Sequence, residues 1–205
     1  MDHRKRAADI VPQNGLDLRH LIETETDADR RRTLEGAAEN CRTHGSHWQW
    51  YAPWLAYDHA TGEQMGLLYF DGAPKDGVAS LTLEFTEPWR GSQSAGGALS
   101  AALEWAFKYG EVYVVRVRAV DQETRGMVAL RSAPEKNGWY ELKKPRTPWI
   151  PAWLVMGLLL GAVGGKAVGR PALGAVIGAL IGGAVGAVFS LREKRRRAAV
   201  MQKLS

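Results

Sequence analysis

The residues from Phe85 to Leu99 read FTEPWRGSQSAGGAL, and they hold the most suggestive chemistry in the chain. A strand-like run breaks at Pro88, small and polar residues follow, and SAALEWAF continues as a helix. Such a turn suits a phosphate. The first turn of a helix offers backbone N–H groups without helical partners and a partial positive charge. Small residues let a pyrophosphate come close to those groups. The candidate cradle is Phe85, Arg90, Gly91, Ser92, Gln93, Ser94, Ala95 and Gly96. No nucleophile elbow, Walker loop or zinc pattern accompanies it. His44, His47 and His59 have no ligand spacing with Cys41, so no metal site is expected.

The elements that must position this turn follow from periodicity. LDLRHLI at 16–22 alternates as a strand, and Asp27 to Cys41 reads as a charged helix. Its run Arg30, Arg31, Arg32 reads as a solvated face. WLAYDHATGEQMGLLYF is a hairpin signal with Gly62 in the turn. VASLTLEFTEPW is a strand cut off by Pro88, and Ala98 to Tyr109 is a helix. VYVVRVRAV alternates as a strand, Met127 to Asn137 is a shorter helical region, and GWYELKK closes the sheet. This order predicts a mixed α/β sheet flanked by helices. The aromatic run HWQWYAPWLAY at 47–57 is read either as core or as the lining of an acceptor pocket.

Charge divides the chain. Residues 1–148 carry 19 Lys/Arg against 21 Asp/Glu, whereas residues 149–205 carry 8 against 1. The slightly acidic first part argues against a nucleic-acid partner. The single Cys41 excludes an intrachain disulfide, and the N-terminus has no apolar run resembling a secretion signal. Trp149 to Val168 and Ala172 to Leu191 are almost entirely apolar or glycine, joined by a short link at Gly169–Pro171. Each is about 30 Å long as a helix, the thickness of a bilayer core. Glycines recur every fourth residue, at 157, 161, 165 and 169 and at 174, 178, 182 and 186, so each helix carries a smooth groove for another backbone. Basic residues before the first span and after the second place both ends in the cytoplasm. The expectation is a cytoplasmic-membrane, multi-pass protein whose soluble domain and C-terminus face the cytoplasm. Its partners are the membrane itself and another copy or a membrane protein met through the hairpin.

Several stretches resemble the GNAT N-acetyltransferase superfamily, nearest the subtype acting on ribosomal-protein N-termini. DHATGEQMGLLYF resembles that family's second hairpin, EPWRGSQSAGGALSAALEWAF its acetyl-CoA loop and following helix, and RVRAVDQETRGMVALRSAPEKNGW its later strand and ending. The likeness spans about 16–142. It implies a GNAT-like sheet, acetyl-CoA as substrate, and acyl transfer to an amine. That reaction needs a base for the ammonium, for which Glu84 and Glu87 are the candidates. The family signature, Arg or Gln, two residues, Gly, one residue, Gly or Ala, falls on Arg90 to Ala95, with Gln93 where glycine is expected. A shifted register through Gly96 and Gly97 would restore glycines. The family's acidic tyrosine falls on Pro134, and its asparagine after the fifth strand is replaced by DQETRG. The domains expected are a flexible N-terminus at 1–15, a GNAT-like domain at 16–145, a transmembrane hairpin at 146–191 and a basic cytoplasmic tail at 192–205. The function expected is a membrane-anchored, acetyl-CoA-dependent N-acetyltransferase. The alternative is a degenerate GNAT-like scaffold assembling with membrane partners through its glycine zipper.

Overall fold

The computed structural model describes residues 7–13, 15–109, 112–131, 137–145, 148–167 and 169–204. The chain forms two units, Met1–Lys144 and Pro145–Ser205. The first contains β1 (Ala8–Pro12), α1 (Gly15–Thr24), α2 (Ala28–Thr43), a 3-10 turn at Gly45–Trp50, β2 (Pro53–Asp58), β3 (Gln64–Phe70) and β4 (Val78–Phe85). A 3-10 turn at Glu87–Trp89, α3 (Gln93–Lys108), β5 (Val114–Ala119), α4 (Gln122–Ala129) and β6 (Tyr140–Lys143) complete it. The strands form one six-stranded sheet in chain order. All neighbours are antiparallel except β4 and β5, which run parallel from Val78↔Val114 to Leu83↔Ala119. A parallel pair cannot be closed by a tight hairpin, so the chain leaves the end of β4 and returns through α3.

Strict alternation in β4 gives the sheet two different faces. Ala79, Leu81, Leu83 and Phe85 enter the main core, where Leu99, Ala102 and Ala106 of α3 join them. Trp105 of α3 lies 4.5 Å from Trp50, 4.6 Å from Trp54 and 5.3 Å from Phe70, ring centre to ring centre. Trp50 and Trp54 are therefore core, and the pocket-lining alternative for these two falls away. Ser80, Thr82 and Glu84 occupy the opposite face of β4, towards α2.

Three element assignments differ from the sequence reading. LDLRHLI lies in helix α1, and the first strand is β1, within the 1–15 segment read as flexible. Leu16, Leu18 and Ile22 fit a two-residue period while Leu18, Leu21 and Ile22 fit a helical one, so alternation over seven residues did not decide. Pro12 ends β1 at the edge of the sheet, where a missing N–H is tolerated. Helix α3 starts at Gln93 rather than Ala98, capped by Ser92 Oγ, which accepts the Ala95 N–H at 3.1 Å. Helix α4 starts at Gln122 rather than Met127, capped by Asp121 through the Thr124 N–H at 2.7 Å.

Asp58 ties the β2–β3 turn to α3. Its carboxylate is buried and accepts the Ser94 hydroxyl at 2.6 Å, the Ala60 N–H at 3.0 Å and the Thr61 N–H at 2.9 Å. These donors, Ser94 first, hold its carboxyl below the usual carboxylate range.

The second unit is a helical hairpin of α5 (Trp149–Ala167) and α6 (Pro171–Leu204). Both are long and apolar enough to cross a membrane by length and composition, with only 6% and 11% of the apolar windows buried. The glycine series of the two helices face each other. A Cβ on Gly157 would fall on the Gly178 carbonyl, one on Gly161 on the Gly174 carbonyl, and one on Gly182 on the Trp153 carbonyl. Gly165 would meet the Gly174 Cα at 2.9 Å, and Gly186 the Ile150 Cα at 2.8 Å. Gly169, the fourth of the first series, has φ 72° and belongs to the link instead of the groove. The basic tail continues α6 as helix. Glu193, the only acidic residue after 148, accepts the Trp149 indole N–H and the Arg197 guanidinium, while Arg197 also donates to the Pro145 carbonyl at 2.8 Å. Trp149 and Trp153 both stack on Phe189, at 5.4 and 5.7 Å.

Two outcomes are expected. The depressed Asp58 carboxyl contributes stability that is complete above about pH 4 and is lost as pH falls through its folded value. The urea midpoint of the first unit, followed by tryptophan fluorescence, should therefore drop less on acidification in Asp58→Asn than in wild type. Equal drops would contradict this. In the hairpin, Gly178→Leu should separate α5 from α6 and abolish a short bifunctional crosslink between cysteines placed at Trp153 and Phe189, whose side chains face each other across the two helices. Gly183→Leu should leave the crosslink intact, because nothing lies within 4 Å of a Cβ there.

Candidate functional site

The site is built where β4 gives way to α3. Thr86 ends the strand by donating its N–H and hydroxyl to the Met65 carbonyl, at 2.9 and 3.0 Å. Pro88 sets the 3-10 turn that follows. Inside the turn, Trp89 N–H bonds the Thr86 carbonyl and Ser92 N–H the Trp89 carbonyl. The N–H groups of Gly91, Gln93 and Ser94 have no acceptor among the described residues. They gather at the N-terminus of a 16-residue helix beside the exposed Arg90. This is the arrangement that favours an anion.

The glycines are placed differently from the sequence argument. Gly91 is the left-handed residue of the loop, at φ 65°, and a Cβ there would lie 3.1 Å from Glu123 in the first turn of α4. Gln93 is not among the residues with positive φ, so glutamine carries no backbone strain there. Gly96 and Gly97 lie inside α3, where a Cβ on either would lie 2.9 Å from a neighbour, Arg131 and Ala7 respectively. Arg131 donates to the Gly96 carbonyl at 2.8 Å and the Ser100 hydroxyl at 2.9 Å. The register shifted through Gly96 and Gly97 is therefore not the exposed one. Phe85 and Ala95 are buried in the core and can offer only backbone to this turn. The Ser92 hydroxyl is engaged as the helix cap, and the Ser94 hydroxyl by Asp58.

Of the two carboxylates, Glu84 alone stands in a polar cluster. Arg30 Nη2 lies 3.4 Å from Glu84 and Arg30 Nε 3.4 Å from Glu25. Arg30 and Glu84 also stand close enough to the Tyr69 phenol to act on it electrostatically. Burial pushes the Tyr69 phenol up to about 12, so it remains protonated across the physiological range. Glu87 is exposed on the 3-10 turn. Arg30 belongs to the run read as a solvated face, and in that run it is the one that reaches the sheet. Arg32 pairs with Asp29 on the surface of α2. Tyr69 was not singled out in the sequence. The signal for it was the register of β3, where Tyr69 is opposite Thr82 and Leu67 is opposite Glu84.

The position of the family's acid, Pro134, lies outside the described residues, as do Glu135 and Lys136 of EKNGW. Tyr140 is buried in the core, and Tyr113 is half-buried before β5. Among the described residues no group of three His, Cys, Asp or Glu is placed to hold a metal. His59 instead pairs with Asp9 at 2.7 Å, and His44 stacks on Tyr51 at 3.8 Å.

The family model described as "Glycine zipper" matches residues 154–195, within the hairpin. No curated protein matches the chain. Similar solved structures include a GNAT-family acetyltransferase from Staphylococcus aureus Mu50, at 14% identity and TM-score 0.44, covering 67% of this chain and 99% of that one. An acetyltransferase from Salmonella typhimurium that modifies the N-terminal serine of 50S ribosomal subunit protein L7/L12 is similar at 13% identity and TM-score 0.45, covering 66% and 90%. A spermidine/spermine N-acetyltransferase from Vibrio cholerae is similar at 15% identity and TM-score 0.41, covering 66% and 88%.

Proposed function

We propose that the chain is an acetyl-CoA-dependent N-acetyltransferase held at the cytoplasmic membrane by its C-terminal hairpin and acting on an amine. The observation that carries this reading is the start of α3. Three backbone N–H groups without an acceptor among the described residues lie there, next to Arg90 in the chain. Gly91, Gln93 and Ser94 would hold the pyrophosphate of the coenzyme, and Arg90 would add a charge-assisted contact. Bound acetyl-CoA supplies the activated acetyl group. Glu84 takes one proton from the acceptor's ammonium, which frees a lone pair for attack on the thioester carbonyl. A C–N bond forms, the C–S bond breaks, and the surplus proton on nitrogen goes to the departing sulfur. A thiol pKa of about 8.5 makes that sulfur a leaving group that needs no dedicated acid. Arg30 orients Glu84, and Glu25 offers Arg30 a second partner when Glu84 turns to an ammonium.

The hairpin supports the membrane part of the reading. Its helices expose their apolar residues, and basic residues flank both outer ends. A non-catalytic scaffold is the second reading. It is favoured by the engagement of Glu84 with Arg30 and of the Ser94 hydroxyl with Asp58, which leaves these two side chains already partnered within the fold.

Calorimetry of the full chain in detergent with acetyl-CoA separates the two. Binding in the micromolar range supports the enzyme, and its absence at millimolar coenzyme supports the scaffold. In the first case Arg90→Ala should weaken binding by about 1.5–3 kcal/mol, the worth of a hydrogen bond to a charged group. Gln93→Gly should leave binding unchanged. With a polyamine or peptide amine as acceptor, Glu84→Gln should lower the rate about 10²-fold while coenzyme affinity holds. Full activity in Glu84→Gln would remove the assigned base.

A further inference from the structure

One face of the hairpin is concave. A groove of about 860 Å³ runs between α5 and α6 from Trp153 to Arg170. Its floor is the glycine contact itself, where the absence of side chains brings the two backbones together and leaves a trough above them. Leu160 stands on one wall, and Ile177 and Ile181 stand on the other. Along α5 the groove extends from Trp153 to Gly165, about 18 Å of helix. Its volume is within the range of small-molecule sites, roughly 300–1,000 Å³. The lining is apolar except at one end. There the exposed Arg170, at the link, is the single charged residue of the groove.

A long apolar trough with one guanidinium at its mouth has the polarity of an anionic amphiphile. We propose that the groove binds one anionic phospholipid, with an acyl chain along the glycine floor and the headgroup phosphate on Arg170. This rests on the membrane reading above, which places the link at the level of the headgroups. Guanidinium favours phosphate because its fork of donors matches two phosphate oxygens. Charge also decides against a second hairpin as the occupant. Two copies inserted in the same direction and docked groove to groove would bring two Arg170 side chains to the same depth. The one carboxylate of the unit, Glu193, is at the opposite end, bonded to Trp149 and Arg197. Such a dimer would confront like charges without a counter-ion, whereas a phosphate supplies one.

The glycines make the test clean. Gly164 lines the groove, yet nothing lies within 4 Å of a Cβ placed on it. Leucine at 164 therefore fills the trough without prising the helices apart. Gly183 is equally open but does not line the groove. The full chain is reconstituted in nanodiscs of phosphatidylcholine with a minor fraction of phosphatidylglycerol, released into mild detergent, and its retained lipid is counted by native mass spectrometry. Wild type and Gly183→Leu should retain phosphatidylglycerol in preference to phosphatidylcholine. Arg170→Gln should lower phosphatidylglycerol retention about tenfold, the scale of one charge-assisted hydrogen bond. Gly164→Leu should abolish retention of both lipids with oligomer size unchanged. Equal retention of the two lipids by wild type overturns the proposal. So does a Gly164→Leu variant that keeps its lipid, or one that changes oligomer size, which would make a second copy the occupant. A carbonate wash of cell membranes keeps the two readings apart. If the wash leaves the chain in the membrane while lipid preference is absent, the groove proposal alone fails. If the wash releases the chain, the membrane reading fails first.

Discussion

The parallel pairing of β4 with β5 is the constraint from which the first unit follows. Two parallel neighbours must be joined by a crossover, and here the crossover is α3. The helix therefore begins at the carboxyl end of a central strand, where open α/β sheets place their ligands. The same strand, by alternation, sends Phe85 into the core and Glu84 to the opposite face. One backbone decision thus puts the open N–H groups of a helix start and a carboxylate within a few residues of each other. The remaining elements serve that junction. The β2–β3 turn fastens the first turn of α3 through Asp58, and α4 packs against Gly91. Helix α2 delivers Arg30 to the far side of the sheet.

The second unit obeys a different rule. Its helices carry little side-chain bulk where they meet, so their association rests on backbone-to-backbone proximity and dispersion contacts. Polar chemistry is confined to the ends. Glu193 gathers Trp149 and Arg197 at one end, and the basic link caps the other. The unit has one acidic residue and uses it as a clasp, which explains an isolated carboxylate in an otherwise basic tail.

Much of this was legible in the sequence, because much of it is periodic. The strand alternation of VASLTLEF and the four-residue glycine spacing each have one physical reading, and both elements form as that spacing implies. What the sequence hid is tertiary. LDLRHLI satisfied two periods at once, and its choice of helix depends on β1 taking the edge of the sheet. The glycines of the α3 turn looked like phosphate-approach residues. Their spacing could not reveal that Gly96 makes room for Arg131 and Gly97 for Ala7, because those neighbours come from distant segments. Arg30 was masked by its company. In a run of three arginines nothing local marks which one turns inward. The partner that decides it, Glu84, is on a strand more than fifty residues later.

The glycine contacts of the hairpin are mirrored in sequence, since Gly157 and Gly178, Gly161 and Gly174, and Trp153 and Gly182 are each equally far from the junction of 167 and 168. Register is therefore shared by every contact. One residue inserted in the first turn of α6, ahead of Gly174, would rotate the rest of that helix by about 100° and turn its glycines away together. Four inserted residues would bring the series back to within about 40° of its place, shifted by one repeat. The hairpin should thus tolerate many apolar substitutions on its outer surface and almost no insertion between one contact glycine and the next. Among related chains, insertions and deletions within the two helices should come in steps of about one helical turn, while the outer apolar residues drift freely.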